Sequence, residues 1–574
     1  MRGSRSLDRI LCAFLTVSLA ALPGFASQTT VTEKPPLTPR EKAIHALNRL
    51  AFGPRPGEVE QVMHMGVAAW MEQQLHPERI GDALLSERLS RFSTLSLSSR
   101  ELFERFEKPV REARRTLQQR ERSPEAGGAG TPNLSQADRD TLRAMIPAED
   151  RPRRILEELS AARVLRAVYS ERQLNEILVD FWMNHFNVFF NKGLDRILVT
   201  AFERDTIRPH IWGRFEDLLM ATAKSPAMLF YLDNAVSVAD EANRPAPSPR
   251  AVWTRYGFLK SVERESRQQK KGASGLNENY ARELMELHTL GVDGGYTQRD
   301  VTELARVLTG WSIDRQGQEP GGFLFRARVH DEGPKTILGY RLPPGGGIDE
   351  GETMIRALAR HPATARHIAY QLCQRLVADD PPAALVDRAA RRFLATGGDL
   401  RETVRAILES PEFFNPENYR AKVKSPFEYV ASVIRATAAE TDGGDAVVRA
   451  VAQMGEPLYL CQPPTGYSDV ASAWVNSGAL VARLNFALAV AAGRLAGTRV
   501  DLAQLLAYQT PSKSQGQVSD VAEVLTGSDL TPITRTTIEE RLRTIGAPDD
   551  DPTADNRLPM VAGLILGSPE FQRQ

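Results

Sequence analysis

Leu276-Asn277-Glu278-Asn279-Tyr280-Ala281-Arg282-Glu283-Leu284-Met285-Glu286-Leu287-His288-Thr289-Leu290-Gly291-Val292-Asp293-Gly294-Gly295-Tyr296-Thr297-Gln298-Arg299-Asp300, running on to Thr309-Gly310-Trp311, is the stretch on which the fold turns. It predicts two helices around a glycine turn. Gly275 precedes the first helix and Gly291 stops it, because glycine adopts the left-handed conformation that ends helices without steric cost. Thr297 with Asp300 predicts a capping box at the start of the second helix, which Gly310 ends. At about 100° per residue, Glu278, Arg282, Glu286 and Thr289 share one side of the first helix, with Asn279 and Glu283 beside them. Tyr280, Ala281, Leu284, Met285 and Leu287 lie opposite, and His288 falls in the middle of that apolar side.

The same periodicity recurs outward from this stretch. Thr38-Pro39-Arg40-Glu41 predicts a capped helix start, followed by Ile44, Leu47 and Leu50 on one face. Helices are predicted over Arg153 to Tyr169, Glu171 to about Phe186, Phe215 to Ala223 and Ser225 to Leu232, the last capped by Ser225 ahead of Pro226. Ala365, Ile368, Leu372 and Leu376 form an amphipathic stripe, and Asp399 with Glu402 opens a further helix. The good strand signal is the alternation at Phe323, Phe325 and Ala327, with Lys335 to Leu338 returning antiparallel and His330-Asp331 in the connecting loop. The fold class read from this is mainly α, a multi-helix globular array with one short β-hairpin and long surface insertions.

The chain divides into a signal peptide (1–26), a flexible leader (27–36), an N-terminal helical module (37–106), a charged and Gly-rich linker (107–140), a central helical domain (141–415) and a C-terminal helical region (416–574). The central domain carries an insertion at 235–274 and the hairpin at about 321–340. The linker begins as a charged helix and continues as a loop at Ala126 to Pro132. The insertion, with its Pro-rich and basic runs, reads as a surface excursion.

The 574 residues balance 72 Lys and Arg against 72 Asp and Glu. That balance argues against a nucleic-acid binder, which carries a basic excess. With 42% hydrophobic and 25% charged residues the composition is that of a soluble globular protein. Arg2, Arg5 and Arg9, the apolar run Ile10 to Leu22 and the small residues of Gly24-Phe25-Ala26 predict a cleaved export signal. The apolar run falls short of the about 20 residues a span requires, and no later run is membrane-spanning. Export leaves Cys373 and Cys461, which either pair in an oxidising compartment or stay as buried thiols.

Several motifs match one family together: Asn277 to His288, Gly291 to Thr297 and Thr309-Gly310-Trp311; Asn48 to Pro54; Phe181-Trp182-Met183-Asn184-His185-Phe186-Asn187; His330-Asp331; Lys422 to Pro426; and Trp474. The chain resembles, over nearly all of its mature length, the bacterial family filed as domain of unknown function 1800. The resemblance implies an exported protein and, as partner, another exported protein encoded nearby. It implies no reaction.

The candidate chemistry is therefore read from the residues. Leu174, Ile177, Leu178 and Phe181 set an apolar stripe that continues to His185, and His288 lies on the stripe of its own helix. Helices pack by such stripes at roughly 8–10 Å between axes, so the two histidines are expected to border one shared polar cavity, with Asn184, Asn187 and Asn277 as partners. The other reading makes each a core histidine satisfied by a backbone carbonyl. Glu283 and His288 fall about 140° apart on the helical wheel, too far for one metal. Glu278, Arg282 and Glu286 read better as an ion-pair ladder. His330 and Asp331 are either a base with its orienter or a turn bonding its own backbone. Trp182, Trp311 and Trp474 are core anchors or pocket walls. No zinc motif, nucleophile elbow, phosphate loop or helical di-iron pair occurs, and neither cofactor nor metal is assigned. The candidates are thus His185, His288, Glu283, His330 and Asp331 for catalysis, and Asn184, Asn187, Asn277, Arg282 and Trp311 for binding. Two classes stand: an exported scaffold or partner protein, and an exported hydrolase of an envelope or extracellular polymer.

Overall fold

The structure, a computed structural model, describes residues 34–121, 140–141, 144–245, 275–314, 321–509, 517–545 and 557–574. The expected signal, most of the leader, the Gly-rich run at 126–130 and residues 246–274 of the insertion lie outside these. The described chain is mainly helical, as its periodicity requires. Local chemistry sets many boundaries. Thr38 with Glu41, Thr297 with Asp300 and Ser425 with Glu428 form complete capping boxes, and each cap fills two backbone donors that the first helical turn leaves open. Arg153–Tyr169 and Gln173–His185 follow the expected helices closely. Ser225 stands at the N-cap before Pro226–Tyr231, but its side chain makes no capping bond. The charged helix ahead of the Gly-rich run is present as Lys108–Glu121; its Val110, Ala113 and Leu117 pack with Ile146 in a small separate core.

The main core is one contiguous cluster reaching from Ala43 to Phe571. Each fully buried Leu, Ile or Phe in it contributes roughly 1.5–3 kcal/mol relative to an exposed position. The polar chain end joins this core through backbone pairing. Val423 bridges Arg573, Lys422 and Gln574 exchange backbone hydrogen bonds at 3.2 and 2.8 Å, and Lys424 N donates to Gln572 O. This pairing sits directly before the helix Pro426–Ala436, all of whose residues are buried. Among the described residues no helix is long and apolar enough to cross a membrane.

Three expectations are corrected. The strand Phe323–Phe325 pairs with Trp311–Ile313, not with Lys335 to Leu338. The cause is packing: Trp311 is wholly buried and meets Phe323 edge to face at 5.3 Å. Lys335–Ile337 instead pairs with Tyr340–Leu342 across Leu338-Gly339, both at positive φ, the two-residue turn that matches strand twist. The single expected hairpin is thus part of three two-stranded sheets among the described residues, the third joining Glu440–Thr441 to Thr498–Arg499. Second, the signature helix is only Asn279–Glu286. Beyond it His288 N reaches back to Glu283 O and Leu290 N to Met285 O, a wider spacing than the α-helix, while the Thr289 hydroxyl takes Leu284 O at 2.6 Å. His288 therefore stands on an unwinding turn, still buried. Third, the insertion does not begin on the surface: Ala235, Ser237, Val238 and Ala239 are buried, and Val238 N donates to Gly275 O.

Candidate functional site

The helix Gln173–His185 carries two sets of groups on two faces. Trp182 and His185 point into the core, where Phe186 joins them just past the helix end; Asp180, Met183 and Asn184 point to a crevice on the other side.

On the core side the expected meeting of histidines occurs. The rings of His185 and His288 lie 6.0 Å apart, and His367, from the helix Pro362–Leu376, stands 6.4 Å from His185. The expected partners do not serve them. His185 Nδ1 bonds Gln371 Oε1 at 2.7 Å, and its Nε2 faces the carbonyl of His288 at 3.3 Å. His367 Nε2 faces the carbonyl of Leu287, and His288 Nε2 has no partner. Burial, reinforced by the neighbouring imidazoles, holds His185 well below its ordinary range and His288 at about 3, so these rings stay neutral. Asn184, Asn187 and Asn277 hold backbone elsewhere. Asn277 donates to Asp233 O, because the tight loop at 233–237 leaves carbonyls to be satisfied.

The remaining candidates separate. Asp331 accepts both Arg306 Nε and Nη2, at 3.0 and 2.9 Å; Lys335 Nζ bonds Glu350 Oε2 at 2.6 Å, and His330 Nδ1 meets Thr309 O. His330 and Asp331 are therefore parts of a buried ion network around the Thr309-Gly310-Trp311 turn, not of an exposed loop. Glu283 is half-buried, and burial with Glu286 beside it raises its carboxyl. It meets His288 only through its carbonyl. The ion-pair ladder has one rung, Arg282 to Glu278 at 3.5 Å; Arg282 also bonds Gln298, and Glu286 accepts from Tyr296 instead. Trp311 is a core anchor with Lys224 over its ring at 5.9 Å. Cys373 and Cys461 are separate buried thiols, pushed up to about 12 and about 11 by burial. No group of three or more His, Cys, Asp or Glu among the described residues is arranged to hold a metal ion.

The crevice is the site that sequence reasoning missed. Its centre is Arg375, a buried guanidinium that contacts Glu428 at 2.8 Å, Asp180 at 3.2 Å and Asp469 at 3.3 Å. Asp180 is shared with Arg163. Burial opposes the charge of Arg375, yet the three carboxylates raise it further above its usual range. Deeper in, Arg208 is bidentate to Glu176 at 2.9 Å and bonds Glu203, which burial pushes up but Arg208, Arg166 and the Tyr459 hydroxyl together hold down to about 2. Glu456 receives Phe427 N at 2.8 Å; burial, then the Asp180 charge, push it up to about 7.

The roof is an irregular strap over residues 456–474. Asn184 clasps the main chain of Tyr467 in both directions at 2.7 Å, and Asn187 donates to the carbonyls of Cys461 and Pro463. Lys422 donates to Asp469 O and Tyr231 to Gln462 O. Tyr459 adopts φ 61°, a left-handed conformation unusual for a tyrosine, held by its hydroxyl on Glu203 at 2.5 Å. Beneath the strap lies a cavity of about 30 Å³ whose lining includes Asp180, Arg375, Glu456, Tyr467, Asp469 and Trp474. Its room suits about one or two waters. A signal for this place was in the sequence: three of the matching motifs, through Asn184 and Asn187, Ser425 and Trp474, line the one crevice.

A family model described as a protein of unknown function (DUF1800) matches residues 45–573. No curated protein and no solved structure matches the chain.

Proposed function

We propose, from the premise that the chain belongs to the DUF1800 family of proteins of unknown function, that it is an exported helical scaffold that binds another exported protein encoded nearby. The observation that carries this reading is the distribution of its chemistry. The groups able to act as acid, base or nucleophile fall into separate buried clusters, each engaged largely with its own partners: the histidines with Gln371 and backbone carbonyls, Asp331 with Arg306, Arg375 with three carboxylates. The crevice that collects the most charge holds about 30 Å³ of free space, too little for a polymer segment at a reacting distance from any of them. Extensive internal pairing favours a rigid surface for recognition, in which side chains are fixed before the partner arrives.

The test begins with protein taken from the native host. Mass spectrometry should find a mature chain starting near Ser27, in agreement with the tripartite N-terminus. Size-exclusion chromatography of that chain with the product of the neighbouring exported gene should give one co-eluting species above the 63.5 kDa of the full chain. A full-length intracellular product, or two proteins that elute independently at micromolar concentration, overturns the proposal.

A further inference from the structure

We infer that the crevice under the strap is a receptor for one carboxylate group of the bound partner, and that Asp469 fills the receptor here as the chain's own occupant. The inference rests on the partner reading above and names what that partner presents.

The three carboxylates around Arg375 are not equivalent. Asp180 stands in the helix Gln173–His185 and also serves Arg163. Glu428 stands in the helix Pro426–Ala436, completes its capping box by accepting Ser425 N at 2.8 Å, and accepts Gln574 Nε2 at 3.1 Å. Both would leave other donors unmet if they moved. Asp469 belongs to the irregular strap. Its side chain is 24% exposed against 13% and 7% for the other two, and its contact to Arg375 is the longest of the three at 3.3 Å. The carboxylate of Asp469 makes no other hydrogen bond among the described residues. It is also poorly placed as an anion, because burial raises it and Glu428 and Asp180 repel it, against the pull of Arg375 and Lys422.

The place Asp469 holds shows what can replace it. Its carboxylate feels the pull of two cations, Arg375 and Lys422, and sets one oxygen against Arg375 Nη1. If the Asp469 side chain turns outward, these cations lose one of their anions, a loss that another anion of the same shape can make good. The group that fits the vacated place is the group that leaves it, a carboxylate.

The exchange needs little motion. Lys422 Nζ holds the carbonyl of Asp469 at 2.9 Å, Asn184 holds Tyr467, and Asp379 accepts Ala471 N at 2.7 Å. The main chain therefore stays in place while one side chain rotates toward solvent. The space gained is the existing cavity of about 30 Å³ plus the volume of that carboxymethyl group, which suits another carboxylate on a thin stem. A sugar ring does not fit. The ligand group is accordingly a carboxylate on a chain, either an acidic side chain or a free chain terminus.

The test is calorimetric titration of the mature full-length chain and its Asp469→Ala variant at fixed ionic strength. The probes are N-acetylglycine, which presents a chain terminus, N-acetylaspartic acid α-amide, which presents an acidic side chain, and N-acetylglycinamide, which presents neither. The expected result is at least tenfold tighter binding of a carboxylate probe by Asp469→Ala than by the unaltered chain, with no binding of the amide. Whichever carboxylate probe gains more identifies its source. Equal affinities in the two proteins, no binding by the variant, or equal binding of the amide overturns the inference. If Asp469→Ala does not fold by circular dichroism, Asp469→Asn, which keeps the size and drops the charge, answers the same question. The titration uses no partner protein. A failure here sinks the receptor while co-elution can still support the scaffold; failed co-elution with tight probe binding sinks the scaffold alone.

Discussion

Replacing Glu456 with glutamine should change how stability depends on pH. Glu456 is buried and titrates at about 7 in the folded chain rather than at the usual 4.5. The folded state thus holds a proton that the unfolded state has already lost between those two pH values. Stability then falls as pH rises from 4.5 to 7, and above 7 the full penalty of a buried, ionised carboxylate is present. At about 1.4 kcal/mol per unit that penalty is about 3 kcal/mol. Glutamine has nearly the same shape, can still accept Phe427 N and never ionises. Relative to the unaltered chain, Glu456→Gln should gain about 1 kcal/mol at pH 5 and about 3 kcal/mol at pH 8.5. For a chain of this length unfolding as one unit, the added difference of about 2–3 kcal/mol moves the melting temperature by about 2 °C. Differential scanning fluorimetry of both proteins from pH 5 to 8.5 reads it directly. A difference that does not change with pH, or that shrinks as pH rises, would mean that Glu456 is ionised throughout and refutes the reasoning.

Other substitutions probe other parts. His45 packs against Phe413, Phe414 and Tyr419 with both ring nitrogens unpartnered, and burial with the Arg49 charge holds it at about 3. The folded state refuses a proton that the unfolded state takes up below pH 6.5, so His45→Leu should add about 2 kcal/mol at pH 5 beyond any change at pH 8; parallel pH curves would sink this. Asn184→Ala removes both bonds to Tyr467 and should cost about 2 kcal/mol; hydrogen exchange at residues 458–470 should rise, and unchanged exchange there contradicts the clasp. Gly351→Ala places a methyl 2.3 Å from Trp311 Cζ2; overpacking should cost about 1–3 kcal/mol, and an unaltered melting temperature counts against that contact.

What the sequence discloses is what local rules govern. Thr38, Thr297 and Asp399 announce helix starts because a cap is a contact between residues three apart. His185 is aimed into the core by the spacing from Leu174 through Phe181, and the structure finds it there. The same spacing says nothing of what it meets, since Gln371 is 186 residues away. The Phe323 strand is visible by its alternation, but its partner is chosen by the burial of Trp311, a tertiary effect. Leu338 gives no hint that it will adopt positive φ. The crevice was hidden for a related reason. Arg375 stands beside the apolar stripe of its helix, and the three carboxylates that make it a centre come from distant segments, Asp180 alone lying 195 residues off. Periodicity locates a face; it does not pair a charge.

The backbone bridge between Val423 and Arg573 bears on the order in which the molecule can assemble. Lys424 finds its acceptor Phe571 O 147 residues later, and Glu428 finds Gln574 146 residues later. At about 5–20 residues per second of synthesis, the segment that supplies Glu428 waits roughly 7–30 s for its partners. Throughout that interval Lys424 and Glu428 lack these two partners. The bonds that tie Lys424 and Glu428 to Phe571 and Gln574 therefore cannot close until residues 571–574 have been made.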